Sequence, residues 1–294
     1  MTTSTLVDCA LVSKTYGTRT VLDEVSMRVG TGESIGLVGR NGAGKTTLLS
    51  IIQGLRRPTS GRVALFGGPP TKARFRTELG VAPQALSLPD TARVDEVIRY
   101  VRAHYHDPVP TADLIRDFDL GTLARKQVGG LSGGQKRLVG ACLAFAGNPR
   151  LVLLDEPTTG LDSEARERLW QIIRAKTYRG TSVVTTSHYM EDIEQLSERI
   201  VVLHQGQIIS DGSVNDIRDS SQTVTITVQA SMPEDLSWLE SGVAQNAQER
   251  AFEIKTTNVD LTLGELRRHF GTLDKVEVTR DSLENIIRNL TETK

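Results

Sequence analysis

The sequence predicts an α/β fold built on a mixed, largely parallel sheet, followed by a smaller α+β unit. Three observations predict it. Apolar runs without polar alternation recur between helical patterns, a glycine-rich loop joins one such run to a helix, and the residue pattern changes near position 220. A strand buried on both faces reads as a continuous apolar run, and helices placed between such strands cover the two faces of a parallel sheet.

The elements follow in order. Ser34–Gly39 (SIGLVG) reads as a buried strand and Lys45–Gly54 as the helix behind it. Arg150–Glu156 (RLVLLDE) and Thr181–His188 (TSVVTTSH) are two more buried strands. Helical patterns cover Gln135–Ala146, Ser163–Lys176 and Met190–Ser197, and Val94–Tyr105 is amphipathic. Arg199–Gly212 reads as a hairpin around Gln205-Gly206. Beyond it, Gln222–Gln229 alternates Thr with Val and Ile, as a half-exposed strand does. AFEIKT and DKVEVT are further strand candidates, and Leu261–Phe270 and Ser282–Leu290 read as helices. The chain is therefore expected to divide into residues 1–219 and 220–294, with the Thr223–Val228 strand offering its edge for pairing with another protein.

With 294 residues and 38% hydrophobic content, the chain can bury one large core and a small companion. Lys+Arg 35 against Asp+Glu 36 leaves a net charge of −1, which argues against an overall polyanion-binding surface. No apolar run approaches the roughly 18 residues of a spanning helix. The N-terminus lacks the basic start and apolar stretch of a secretory signal, so the chain is expected to be soluble by itself. Cys9 and Cys142 lie far apart without metal-ligand spacing and read as reduced thiols of a cytosolic protein. His104 and His106, in RAHYHDP, have no third ligand in view, so no metal site is expected there.

The chemistry begins at Gly39-Arg40-Asn41-Gly42-Ala43-Gly44-Lys45-Thr46, which fits G-x-x-x-x-G-K-[ST] and is followed by Thr47. Glycines let successive backbone N–H groups point inward, and the helix start adds partial positive charge. Lys45 can then reach the β- and γ-phosphates of a nucleotide, and the Thr46 hydroxyl can ligate Mg²⁺. Asp155 and Glu156 end a buried strand, where ligands sit in open α/β sheets. Asp155 is expected to hold Mg²⁺ through water and Glu156 to polarise the attacking water.

A third motif, Leu131-Ser132-Gly133-Gly134-Gln135, stands before a helix and shortly before the Asp155 strand. With these motifs in this order, the stretch from roughly Leu6 to Gly212 resembles the nucleotide-binding subunit of ABC transporters. The resemblance implies a P-loop NTPase cassette with a helical subdomain at about residues 85–148, ATP and Mg²⁺ as cofactors, and ATP hydrolysis coupled to transport. Tyr16, in KTYG, matches the aromatic residue that stacks on adenine. Gln84, in VAPQ, matches the glutamine that contacts Mg²⁺ and the attacking water and senses the membrane subunits. His188 matches the histidine that contacts the γ-phosphate, and Gly160–Asp162 the loop that crosses the dimer interface. Leu131–Gln135 is the signature, which in this family completes the site of a second cassette, so that two ATP molecules are sandwiched between two copies.

The resemblance places the partners too. One cassette without a spanning segment implies separate transmembrane permease subunits, with the chain peripheral at the cytoplasmic face of the membrane. Ser282–Thr291 (SLENIIRNLT) is similar to the end of ABC-2 type exporter ATPases of the drug, antibiotic-resistance and sodium-extrusion kind, which implies export. The alternative, a soluble ABC ATPase acting on ribosomes or DNA, calls for two cassettes in one chain, long inserted arms or a basic stretch. The sequence offers none of these, and no nucleic-acid partner is expected.

Overall fold

The structure, a computed structural model, describes residues 4–220, 224–230, 233, 235–248, 251–271, 275–280 and 282–292. They fall into two compact units, Met1–Val214 and Asn215–Lys294. The sequence-based boundary, between residues 219 and 220, lies five residues further on, at the end of a helix that opens at the division.

The first unit opens with β1 (Thr5–Tyr16) and β2 (Arg19–Gly30), an antiparallel pair. β3 (Ser34–Val38) leads through the glycine-rich loop into α1 (Lys45–Ile52). β4 (Ser60–Leu65) returns to pair with β1, giving a three-stranded sheet in the order β2-β1-β4. β5 (Leu79–Ala82) is followed by three helices: α2 (Val94–Arg102), α3 (Thr111–Asp117) and α4 (Gly133–Ala144). Then β6 (Leu151–Asp155), α5 (Ser163–Tyr178), β7 (Ser182–Thr186) and α6 (Met190–Leu196) alternate. β8 (Arg199–His204) and β9 (Gln207–Ser213) form the closing hairpin. Its turn residues, Gln205 at φ 46° and Gly206 at φ 85°, are both left-handed, as a two-residue hairpin turn matching the strand twist requires.

The second sheet has six strands in the order β5-β6-β7-β3-β8-β9. All neighbours in it are parallel except β8 and β9. Every residue of β3, β6 and β7 is buried, which is why those segments carry no polar alternation. One core lies around Leu22, Leu37, Leu49 and Leu203; another gathers Phe118, Phe145, Leu169 and Trp170 beneath α2–α5. Cys9 and Cys142 are buried in these cores, and burial pushes both thiols up to about 12.

The antiparallel sheet went unpredicted for a local reason. Register shifts interrupt the β1–β2 and β1–β4 ladders, and Leu11 and Glu24 take φ 50° beside them. Each bulge resets the period-two pattern that announces a strand. Helix ends moved by a few residues. α4 starts at Gly133 rather than Gln135, because Ser132 and Gln135 form a reciprocal capping box: Ser132 Oγ accepts from Gln135 N at 3.2 Å, and Gln135 Oε1 accepts from Ser132 N at 3.1 Å. α2 ends at Arg102, so His104 and His106 lie in the loop after it.

The second unit is entered through α7 (Val214–Ser220). It contains β10 (Val224–Val228), β11 (Gly242–Gln248), β12 (Ala251–Thr256), α8 (Val259–Phe270), β13 (Val276–Arg280) and α9 (Leu283–Glu292). Its antiparallel sheet runs β11-β12-β10-β13, and α8 packs on it around Ile226, Val228, Phe252, Ile254 and Leu266. One expectation is corrected here. β10 is hydrogen-bonded on both sides, to β12 and β13, so it offers no edge. Its Thr/Val alternation reports that one face is covered by α8, and alternation carries no information about edges. The sheet's edges are β11 and β13; Gln222 and Thr223, part of the expected strand, lie outside the described residues.

A chain ending at Ser220 should unfold in one cooperative transition, because the cores around Leu37 and Phe145 are complete within the first unit. Circular dichroism melting checks this; a broad, non-cooperative loss of helix signal would place the boundary elsewhere.

Candidate active site

β6, β7 and β3 are adjacent and parallel, and their register puts Asp155 opposite Thr186 and Thr186 opposite Leu37. The loops that leave these three strands therefore emerge at one end of the sheet, and segments far apart in the chain meet there.

The loop after β3 is shaped by close approach. A Cβ on Gly39 would stand 2.2 Å from the carbonyl oxygen of Leu203. Gly44 caps α1 at φ 111°, and a Cβ there would meet Leu22 Cδ2 at 2.6 Å and Val21 O at 2.8 Å. No side chain caps α1, so none competes for the N–H groups that open it. Lys45 is buried, and its ammonium donates to Gly39 O at 2.5 Å and Arg40 O at 3.3 Å. Burial pushes its pKa below the ordinary lysine value, and the charges of Glu156 and then Asp155 oppose that shift. Thr46 and Thr47 begin α1; Arg40, Asn41 and Gly42 are exposed at the loop's tip, and Ala43 is buried beneath it.

Asp155 is met from both sides. Thr46 Oγ1 donates to its Oδ2 at 3.3 Å and Thr186 Oγ1 to its Oδ1 at 2.6 Å. The Thr186 hydroxyl also accepts the Glu156 N–H at 3.0 Å. A hydroxyl and a carboxylate are hard oxygen donors, the set that suits Mg²⁺ beside phosphates. A loop closed to a Cβ at Gly39 and Gly44, a helix start, a buried ammonium and this donor pair together fit a magnesium-bound polyphosphate.

Glu156 takes φ 53°, a left-handed conformation that costs a non-glycine residue about 1 kcal/mol and recurs at functional sites. It turns the carboxylate toward two other segments and the rest of its own loop. Oε2 accepts from Gln84 Nε2 at 3.2 Å and Thr159 Oγ1 at 3.2 Å, and His188 Nδ1 lies 3.4 Å away. The Glu156 side chain is 13% exposed and that of His188 43%, so the pair sits at the mouth of the site rather than in the core.

The profile of the ABC transporter family matches residues 22–159. The Nod factor export ATP-binding protein I of Rhizobium etli is 37% identical over 222 residues, covering 73% of this chain and 70% of that protein. The chain belongs to the ABC transporter family. It is an ATP-binding, ATP-hydrolysing cassette, and its cofactors are ATP and Mg²⁺. A solved ATP-binding subunit of an ABC transporter superposes with a TM-score of 0.67 at 27% identity, covering 73% of this chain and 92% of the other. A dimeric ATP-binding cassette in a post-hydrolysis state, bound to ADP and Pi, gives 0.65 at 25% identity, covering 71% and 98%.

In this ABC cassette the predicted residues fall into two groups. The structure brings together Gly39–Thr46, Asp155, Glu156, Gln84 and His188. Among the described residues, no hydrogen bond or ion pair joins the signature, Leu131–Gln135, to that group. Ser132 and Gly133 are exposed at the start of α4. A Cβ on Gly134 would stand 2.8 Å from Gly160 O, so the signature packs closely on the Gly160–Asp162 loop. Tyr16 is 39% exposed, with the cations of Lys14 and Arg56 over its ring at 5.0 and 5.5 Å from the centroid.

Sequence reasoning missed Thr186, Thr159 and Arg137. Arg137, on α4, donates to Gln84 O at 2.6 Å and so ties the signature helix to the Gln84 loop. Only Thr186 left a usable signal: it ends a buried strand two residues before His188.

Gly44→Ala should cost roughly 1–3 kcal/mol, from left-handed strain and contact with Val21 O. Urea denaturation reads this directly; an unchanged midpoint would mean that the loop gives way. Tyr16→Ala should weaken ATP binding by about 1–3 kcal/mol through lost stacking. Titration with a fluorescent ATP analogue tests it.

Proposed function

We propose that this chain powers export: two copies close on two ATP molecules and open after hydrolysis, while separate transmembrane permease subunits hold them at the cytoplasmic face of the membrane. ABC cassettes in general work as dimers with permeases. The export direction is supported by the relatives' names and by SLENIIRNLT near the C-terminus. No helix among the described residues is long and apolar enough to cross a membrane.

The observation that carries this reading is the convergence of Gln84, Thr159 and His188 on Glu156, beside Asp155 and the phosphate loop. Mg²⁺, when bound, neutralises phosphate charge, with Thr46, Asp155 and Gln84 as its proposed holders. Lys45 and the N–H groups of Gly39–Thr47 bind the phosphates. Glu156 orients and polarises the attacking water; Gln84 and His188 fix its carboxylate, Gln84 also meeting Mg²⁺ and the water and His188 the γ-phosphate. Tyr16 stacks on adenine. Leu131–Gln135 faces the second copy, where the Ser132 hydroxyl and the N–H groups that open α4 complete the opposite site.

Glu156→Gln keeps the shape and removes the charge. It should bind MgATP, hydrolyse it about 10²–10⁴ times more slowly, and persist as a dimer on size-exclusion chromatography with ATP. Wild-type turnover in this variant would remove Glu156 from its role. Ser132→Arg and Lys45→Ala should each be inactive alone. Mixed, they form one site with both lesions and one with neither, so single-turnover hydrolysis should reappear. Its absence from a demonstrably mixed dimer would argue against sites shared between copies.

A further inference from the structure

Asp192 takes no part in the chemistry above, yet it is fully buried, the least expected place for a carboxylate. It lies in the first turn of α6. Its Oδ2 accepts from Thr158 Oγ1 at 2.5 Å and from Ser187 Oγ at 2.5 Å, and its Oδ1 accepts from Trp170 Nε1 at 2.9 Å. All three donors are neutral, and among the described residues no Lys, Arg or His pairs with it. A buried carboxylate held this way is costly, and a packed apolar residue would serve stability as well or better. Its presence therefore calls for a geometric reason.

The donors supply one. Ser187 immediately precedes His188, and the Ser187 hydroxyl also accepts the N–H of Tyr189 at 3.0 Å, on the other side of that histidine. Thr158 immediately precedes Thr159, whose hydroxyl donates to Glu156 Oε2 at 3.2 Å, and the Leu161 N–H bonds to Thr158 O at 3.0 Å. Trp170 anchors the carboxylate to α5, a helix packed in the core. One carboxylate thus pins both loops that bring His188 and Thr159 to Glu156, and one of those loops is the support on which the signature rests.

We propose that Asp192 is a positioning residue that fixes His188 and Thr159 against Glu156, so that movement of the Gly160–Asp162 loop is passed to the histidine through a single side chain. This rests on the reading of Glu156 and His188 as catalytic.

The test is a double-mutant cycle on the full chain, with Asp192→Asn and His188→Ala. Asn keeps the volume and removes the charge: with Oδ1 on Trp170 Nε1, its Nδ2 can only donate, so the charge-assisted bonds from Ser187 and Thr158 are lost or replaced by weaker neutral ones with both hydroxyls reversed. Asp192→Asn should lower kcat for MgATP about tenfold or more while leaving KM within about twofold, the pattern of a lost transition-state interaction. In His188→Ala it should lower kcat by a clearly smaller factor than in the wild type, because only its hold on Thr159 is left to lose. A merely structural role, acting through a smaller folded fraction, would multiply with His188→Ala instead, and that result overturns the proposal. So does an Asp192→Asn enzyme with wild-type kcat. Should that variant fail to fold, Ser187→Ala and Thr158→Val each delete one donor and leave the carboxylate its other two; kcat must fall in both with KM held, and wild-type kcat in both overturns the inference. Wild-type turnover in His188→Ala is a separate outcome: it removes the histidine's role and the reading beneath the proposal, whatever Asp192→Asn does.

Discussion

The hydroxyl of Thr186 is the small group on which the site depends. It donates to Asp155 and accepts the N–H of Glu156, so one oxygen fixes the proposed metal-holding carboxylate and the backbone that swings the next carboxylate the other way. That hydroxyl is in place only because β7 lies between β6 and β3 in a register set by continuous apolar strands. A shift of one residue would reverse the face of every side chain in the strand and carry the hydroxyl away. Packing therefore sets the register, the register sets two carboxylates, and the carboxylates face a loop closed to side chains at Gly39 and Gly44.

Legibility in the sequence depends on how local each cause is. β3, β6 and β7 could be read because burial on both faces leaves an unbroken apolar run. The phosphate loop could be read because its demands, left-handed backbone, close approach and a lysine at the helix start, fall within eight consecutive residues. The β1–β2–β4 sheet could not, because bulges near Leu11 and Glu24 break its alternation. Nor could the bonds around Asp192, whose carboxylate meets Trp170 and Thr158 at sequence separations of 22 and 34. Motifs signalled which residues matter, and packing alone shows which neighbours hold them.

The second unit separates what a pattern tells from what it leaves open. Thr/Val alternation in Val224–Val228 reads as a half-exposed strand, and Ile226 and Val228 are buried beneath α8, but Thr225 on the opposite face is buried too and no residue of the strand is exposed. Whether such a strand is central or at an edge depends on partners drawn from residues 251–280, which the strand's own sequence does not encode.

Both native thiols are buried and protonated far above neutral pH, their pKa values pushed up to about 12. At neutral pH burial keeps both thiols protonated, and the sulfur is shielded as well. For maleimides and similar thiol reagents the folded protein is chemically blank. A single cysteine installed at the exposed start of α4 would be the one site that takes a label, so spin or fluorophore distances between two copies could be measured without removing any native cysteine.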